Sequence, residues 1–290
     1  MGKVGIVTDS GSGIILPEAK EMGIGFVSIP FMFGDGEETF FEDINLTRAE
    51  FFQRLADGQT VHTSQPSPVD VLKVWDKCLE TYDELVYIPM SSGLSGSCQS
   101  AVMLSSDYDG RVQVVNNQRI SVTQRRSVED ALALAAKGWS AKQIKDKLEE
   151  VKFDSSIYIM LDTLTYLKRG GRITPAAAAI GSLLRLKPVL QIQGDKLDAF
   201  SKARTLQQGK NTMITAMKSD FGKRFNNEPM HLYCVQAECP EPFAAWKQEM
   251  TSAFPGVTIE DDKLPCVICC HIGPGALAIA ASRVIPETED

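Results

Sequence analysis

The first half of the chain alternates short apolar runs with segments of helical period. Residues 4–7 form the first run, and the polar stretch Thr8-Asp9-Ser10-Gly11-Ser12-Gly13 follows at once. The pattern predicts a short helix over 17–22, stopped by Gly23, and a second strand over 25–33. Thr47 and Glu50 stand at capping-box spacing ahead of Phe51, Phe52 and Leu55, so a helix starts there and ends near Gly58. Pro68 opens a helix over 69–81 with Val71, Leu72, Trp75 and Leu79 on its buried side. Strands follow at 84–90 and 112–115, and helices at 97–105, at 128–137 and from the Ser140 cap to about 151. Strands that are apolar throughout are buried on both faces, as in a parallel sheet covered by helices.

The pattern changes beyond about residue 152. A strand over 156–161 leads to a helical turn at 164–168 that stops at Gly170-Gly171, and an alanine-rich helix is predicted over 176–184. Residues 189–193 and 196–204, separated by Gly194-Asp195, read as a hairpin, which requires antiparallel pairing. Helices at 207–220, 241–253 and 276–281 and strands at 231–236 and 267–271 complete this half. The expected architecture is α/β in two domains. Residues 1–152 form an open parallel sheet with flanking helices, and residues 153–290 an α+β domain with antiparallel strands.

Composition narrows the function classes. Of 290 residues, 43% are hydrophobic and 23% charged, so the chain can bury a core and global disorder is excluded. The 30 basic against 37 acidic residues give a formal charge of −7, which argues against nucleic-acid binding through a general basic surface. No apolar run reaches membrane-spanning length, so no stable membrane insertion is expected. The apolar stretch at the start is too short for a signal peptide and meets Asp9, so a cytoplasmic location is expected. Seven cysteines, an odd number at irregular spacing, read as reduced thiols.

Several segments can carry chemistry. Ser91-Ser92-Gly93-Leu94-Ser95-Gly96-Ser97 follows an apolar strand and opens a helix. Its glycines admit close backbone approach, and the first N–H groups of the helix suit a phosphate or carboxylate. The alternative is an ordinary serine-capped helix start. The segment matches neither a nucleotide-binding glycine loop nor a nucleophile elbow. Thr63-Ser64-Gln65-Pro66-Ser67-Pro68 places hydroxyls on a proline-stiffened loop, where helix capping is the simpler explanation. Of the three histidines, His62, His231 and His271, the last is best placed, because Gly273-Pro274-Gly275 follows it. Cys266-Val267-Ile268-Cys269-Cys270-His271 does not read as a metal site. On a strand Cys266 and Cys270 face away from Cys269 and His271, and no second cysteine pair stands at zinc spacing. Leu167-Lys168-Arg169-Gly170-Gly171-Arg172-Ile173 sets three cations around a glycine turn. They suit either a capped helix end or a docking site for an acidic partner.

Taken in order, Thr8-Asp9-Ser10, the 63–68 loop, the 91–97 loop with Gln99-Ser100-Ala101, the 167–173 block and His271-Ile272-Gly273-Pro274-Gly275 resemble the DegV family of bacterial fatty-acid-binding proteins. The resemblance spans nearly the whole chain. It implies one long-chain fatty acid held between two α/β domains, with no other cofactor, no metal and no catalysis by the protein itself. It further implies that a separate ATP-dependent fatty acid kinase converts the bound lipid into an acyl phosphate for phospholipid synthesis. By the same resemblance the carboxylate is held by Thr63, Ser95, the Gly96 amide and His271, and Arg172 belongs to the surface that meets the kinase. Asn116-Asn117 departs from the acidic residue expected there in many relatives.

Two other functions fit parts of the pattern. A serine hydrolase would use Ser95 as nucleophile and His271 as base on acyl esters, but no nucleophile elbow is present. A substrate-binding subunit like that of dihydroxyacetone kinases would need a small polar pocket. The apolar stretch over 176–186 suits a lipid tail better. A phosphate loop or an acidic magnesium cluster with a partner lysine is not found in the sequence, which favours a carrier.

Overall fold

The computed structural model describes residues 2–172, 174 and 186–289. Internal packing divides the chain into two units, Met1–Phe153 with Ile285–Asp290, and Asp154–Val284.

The first unit is built on strands β1 (Val4–Asp9), β2 (Gly25–Val27), β5 (Glu84–Ile88) and β6 (Val112–Val114), in the order β2-β1-β5-β6 and all parallel. Side chains alternate across each strand, and both faces are covered. Ile6, Val86 and Ile88 pack on one side with helices α1 (Leu16–Glu21), α5 (Val122–Ala136) and α6 (Ala141–Glu150). Val7, Leu85 and Tyr87 pack on the other with α3 (Pro68–Leu79) and α4 (Ser97–Ser105). This double burial is why apolar residues stand on both faces of these strands, with polar ones confined to Thr8 and Asp9 at the end of β1, Glu84 at the start of β5 and Gln113 in β6. The capping box predicted at Thr47 and the cap predicted at Ser140 both form. Thr47 and Glu50 close the start of α2 (Arg48–Ala56), and Ser140 and Gln143 that of α6.

Three expectations need correction here. The single strand over 25–33 is broken between β2 and β3 (Phe31–Phe33). Ile29 gives its N–H to Ser10 Oγ at 3.0 Å instead of a ladder partner, and Pro30 has none to give. β3 then pairs antiparallel with β4 (Val61–Thr63), a strand the pattern did not reveal. Helix α5 starts at Val122, well ahead of residue 128. Its first turns carry buried polar residues, Thr123, Gln124 and Ser127, which hydropathy reads as loop. The tail 285–290 groups with the first unit and not with the second: Ile285 is buried beside Leu148 and Val151, and Lys147 pairs with Glu287 at 2.9 Å.

The second unit is a six-stranded mixed sheet ordered β11-β10-β12-β7-β8-β9. Its strands are β7 (Ser155–Met160), β8 (Lys187–Ile192), β9 (Leu197–Ala203), β10 (Met230–Gln236), β11 (Ile259–Lys263) and β12 (Leu277–Arg283). β10 and β11 are parallel and the remaining neighbours antiparallel, including the expected β8–β9 hairpin. Helices α8 (Leu206–Lys223) and α9 (Pro240–Ala253) cover one face with Met213, Met217, Trp246 and Met250. Two short elements also belong here, α7 (Thr165–Gly170) and α10 (Cys266–Ile272). The alanine-rich helix expected over 176–184 lies outside the described residues.

Two assignments in this unit are exchanged. The strand expected over 267–271 is helix α10, and the helix expected over 276–281 is strand β12. Cys266-Val267-Ile268-Cys269-Cys270 has strand-like composition, yet Pro265 starts a helix and Gly273 ends it. Alanines favour a helix in isolation, but Ala278, Ala280 and Ala281 sit in β12 between β10 and β7 and are wholly or almost wholly buried. Tertiary burial overrides local propensity at both places. The strand β11, with Glu260, Asp261 and Asp262 along it, escaped prediction because it is an edge, and edges are protected by charge.

Candidate functional site

In the first unit, strand β5 ends at Ile88 and the chain turns through residues 91–96 into α4. The turn uses its own donors: Leu94 and Ser95 N–H groups bond to Ser91 O at 3.0 and 3.1 Å. The Ser97 N–H bonds to Ser95 Oγ at 3.2 Å, which leaves the Ser95 hydroxyl hydrogen to donate elsewhere. Among the described residues the Gly96 N–H makes no hydrogen bond, and it stands at the start of a nine-residue helix. A partly exposed hydroxyl and an uncommitted amide therefore share one helix start, where the backbone dipole favours negative charge.

The 63–68 loop lies against this start. Ser100 Oγ donates to Gln65 Oε1 at 3.3 Å, and a Cβ on Gly96 would sit 2.9 Å from the same oxygen. Gly96 thus permits the approach that brings the Thr63 loop onto α4. Thr63 itself closes β4, paired with Phe31. On its other side the loop borders a groove of about 660 Å³, lined in part by Pro30, Met32, Phe41 and Ser64, so it is packed on one side only. Ser67 caps α3 by accepting from the Asp70 N–H at 3.1 Å, so the capping explanation holds for that end of the loop.

In the second unit, α7 and α10 pack together and join the 167–172 block to the 271–275 block. Gly170 lies under the imidazole of His271, where a Cβ would overlap Nδ1. His271 is largely buried; burial first, and the Arg172 guanidinium second, push its pKa down to about 4. The imidazole is neutral at pH 7 and offers one donor and one acceptor. Arg172 does not project away from its turn. Its Nη1 donates to Gly170 O at 2.7 Å, so the exposed guanidinium also completes the helix end. Gly171, in the left-handed conformation, caps α7 by donating its N–H to Leu167 O at 3.0 Å.

The cysteines need a different description from the strand-based one. On helix α10, Cys266, Cys269 and Cys270 lie at helical spacing and all are buried. Among the described residues no group of three or more His, Cys, Asp or Glu side chains is gathered to hold a metal ion. The seven cysteines form no disulfide; Cys78 is partly buried and the others are buried. Among the described residues no helix is long and apolar enough to cross a membrane.

Three residues near the first-unit site have roles that the sequence pattern did not assign. Gln65 was only part of a hydroxyl loop. Asp9 and Gln124 form a wholly buried pair, with Gln124 Nε2 donating to Asp9 Oδ1 at 2.9 Å. The acidic residue closing the first strand was a signal for Asp9; a glutamine in a polar stretch gave none for Gln124. The departing Asn116-Asn117 loop is tied down structurally. The Asn116 N–H donates to Glu149 Oε1 at 2.8 Å, and Asn117 Nδ2 to Ser127 Oγ at 2.8 Å.

Comparison with known proteins gives one consistent result. The model of the family described as DegV matches residues 3–284. The DegV domain-containing protein of Listeria innocua is 29% identical over 287 residues, covering 97% of this chain and 98% of that one. Among solved structures, a DegV family protein from Thermus thermophilus described by its fatty acid binding has a TM-score of 0.87 and 29% identity, covering 97% of this chain and 100% of that one. DegV of Bacillus subtilis, described as a fatty acid binding protein, has a TM-score of 0.85 and 28% identity, covering 98% of this chain and 100% of that one.

Proposed function

The chain belongs to the DegV family, and on that footing we propose that it binds one long-chain fatty acid and presents the carboxylate to a separate ATP-dependent fatty acid kinase. The Thr63 and Ser95 hydroxyls, the Gly96 amide and the His271 imidazole hold the carboxylate, and Arg172 contributes to the surface the kinase meets. In this reading the protein is a cytoplasmic carrier with no cofactor and no reaction of its own. The kinase forms the acyl phosphate that feeds phospholipid synthesis.

The observation that carries the reading is the start of α4, where the Ser95 hydroxyl and the Gly96 amide are positioned without competing acceptors among the described residues. A desolvated carboxylate needs several donors at once, and a neutral imidazole supplies one without introducing a second buried charge. The two solved relatives described as fatty acid binding support the ligand class. Burial of about fifteen methylenes at about 0.8 kcal/mol each supplies roughly 12 kcal/mol gross, offset in part by ordering and association.

Mass spectrometry tests the reading. Protein purified from bacterial cells carries a non-covalent adduct of fatty-acid mass under native conditions, and the adduct is lost on denaturation. Repeated absence of lipid after organic extraction, or turnover of an acyl ester by the purified chain, overturns it.

A further inference from the structure

Asp9 closes β1 with a side chain that is fully buried and has no cationic partner among its hydrogen bonds. Its carboxylate accepts three of them. Oδ2 takes the Met90 N–H at 2.8 Å; Oδ1 takes the Gly11 N–H at 3.0 Å and Gln124 Nε2 at 2.9 Å. Gln124 Nε2 also lies 3.0 Å from Ile88 O and 3.3 Å from Thr8 Oγ1, and Thr8 Oγ1 donates to Ile88 O at 2.8 Å. The last carbonyl of β5 and the amide two residues on are thus both held by this cluster. The next amide, Ser91 N–H, donates to Arg119 O at 2.9 Å. Arg119 is itself buried, donating to Ser127 Oγ at 3.2 Å and to Val151 O at 3.0 Å.

The chain therefore enters the 91–97 loop with successive amides fixed from outside the sheet ladder. We infer that Asp9 is a positioning residue for that loop: its carboxylate, oriented by Gln124, sets the direction in which Ser95 and Gly96 are presented to a ligand. The inference rests on the reading of Ser95 and Gly96 as part of the carboxylate site. A carboxylate is required at residue 9 because all three neighbours are donors. An amide in its place has only one acceptor oxygen, and its NH₂ must face a donor. Sequestering an unpaired carboxylate is unfavourable, and burial lifts Asp9 to about 6 against the hydrogen bonds from Met90, Gln124 and Gly11. The titratable groups sharing its surroundings are Tyr87 on β5 and Cys98 on α4, both pushed up by burial and neutral below pH 8.

The test compares wild type with Asp9→Asn, using a saturated fatty acid as ligand and amide hydrogen exchange on the lipid-free protein. The variant binds about tenfold more weakly at pH 7.5, because a loop no longer held at Met90 must be ordered when the ligand binds. Its amides over residues 90–97 exchange faster. The ratio of the two affinities falls towards one between pH 7 and pH 5, because wild-type Asp9 takes up a proton in that window and the asparagine does not. Titration of the ligand's own carboxylate is common to both proteins and cancels in the ratio. A ratio that is flat with pH, or unchanged exchange over 90–97, overturns the inference. Should Asp9→Asn fail to fold, Gln124→Leu keeps the carboxylate and removes its orienting donor. A loss of about threefold is expected there, and unchanged affinity overturns the inference. Failure of the wild type to bind any fatty acid is visible without a variant and defeats the carrier reading itself.

Discussion

Gly170 and His271 are packed so closely that any side chain on residue 170 would overlap the Nδ1 end of the imidazole. The same glycine offers its carbonyl to Arg172 Nη1 at 2.7 Å. A helix end, an imidazole and a guanidinium are thereby locked together from two segments about a hundred residues apart in sequence. Gly170→Ala is expected to lower stability by about 1–3 kcal/mol through overpacking. The midpoint of urea unfolding measures it, and adding His271→Ala recovers most of the loss if the imidazole is the obstacle.

Acidification reports on the same imidazole. Its folded pKa of about 4 lies below the ordinary 6.5, so between these values the unfolded chain binds more protons than the native state. The stability this group contributes is complete above pH 6.5 and is lost as the pH falls through 4, about 3 kcal/mol in all. Asp9 acts in the opposite sense. Its pKa is raised from 3.8 to about 6, so its contribution is complete below 3.8 and is lost as the pH rises through 6. Unfolding free energies of wild type and His271→Gln at pH 7, 5 and 4 isolate the histidine; parallel profiles would remove it from the account.

On the proposed reading of the carboxylate site, Thr63→Ala and Ser95→Ala each remove a donor to a charged head group. The expected cost is about 1.5–3 kcal/mol in fatty-acid binding, roughly tenfold to hundredfold. Ser95→Ala also deprives the Ser97 N–H of its acceptor, so that variant is further expected to lose about 0.5–2 kcal/mol of stability. Titration calorimetry with one fatty acid, beside urea unfolding, separates the effects. Full affinity in the double variant would place the head group elsewhere.

Gly96→Ala tests the backbone contact in the first unit. The added Cβ meets Gln65 Oε1 at 2.9 Å, the end of a flexible and exposed side chain that can move aside. Stability is expected to change by less than about 1 kcal/mol, while fatty-acid affinity falls because the loop no longer closes on α4. A large loss of stability with unchanged affinity would make the glycine a folding requirement only.

Arg172→Ala is expected to leave lipid binding intact and to slow acyl-phosphate formation by the matching kinase. Arg172→Lys restores part of the rate, since an ammonium keeps the charge and loses the fork. The guanidinium also completes the end of α7, so loss of that role alone would cost about 0.3–1 kcal/mol of stability and nothing in transfer. Transfer rates at limiting carrier concentration decide between the two.

The sequence by itself determined the parallel half of the fold, because its strands are buried on both faces and its helices carry their own caps at Thr47 and Ser140. It also determined the family, through five short blocks in order between residues 8 and 275, and the family model matches residues 3–284. What it could not determine is every feature set by long-range burial. Residues 266–272 and 277–283 exchanged helix and strand because the central place in the second sheet, not local propensity, decides where small apolar residues go. The first turns of α5 read as loop because Gln124 spends its polarity on the distant, buried Asp9, and Ser127 spends its own on Asn117 and Arg119 in the buried segment just before the helix. The meeting of Gln65 with α4, of His271 with Gly170 and of Asp9 with Met90 joins positions between 31 and 101 residues apart. No pattern of local period records such a contact, since each depends on packing that exists only once the sheets have formed.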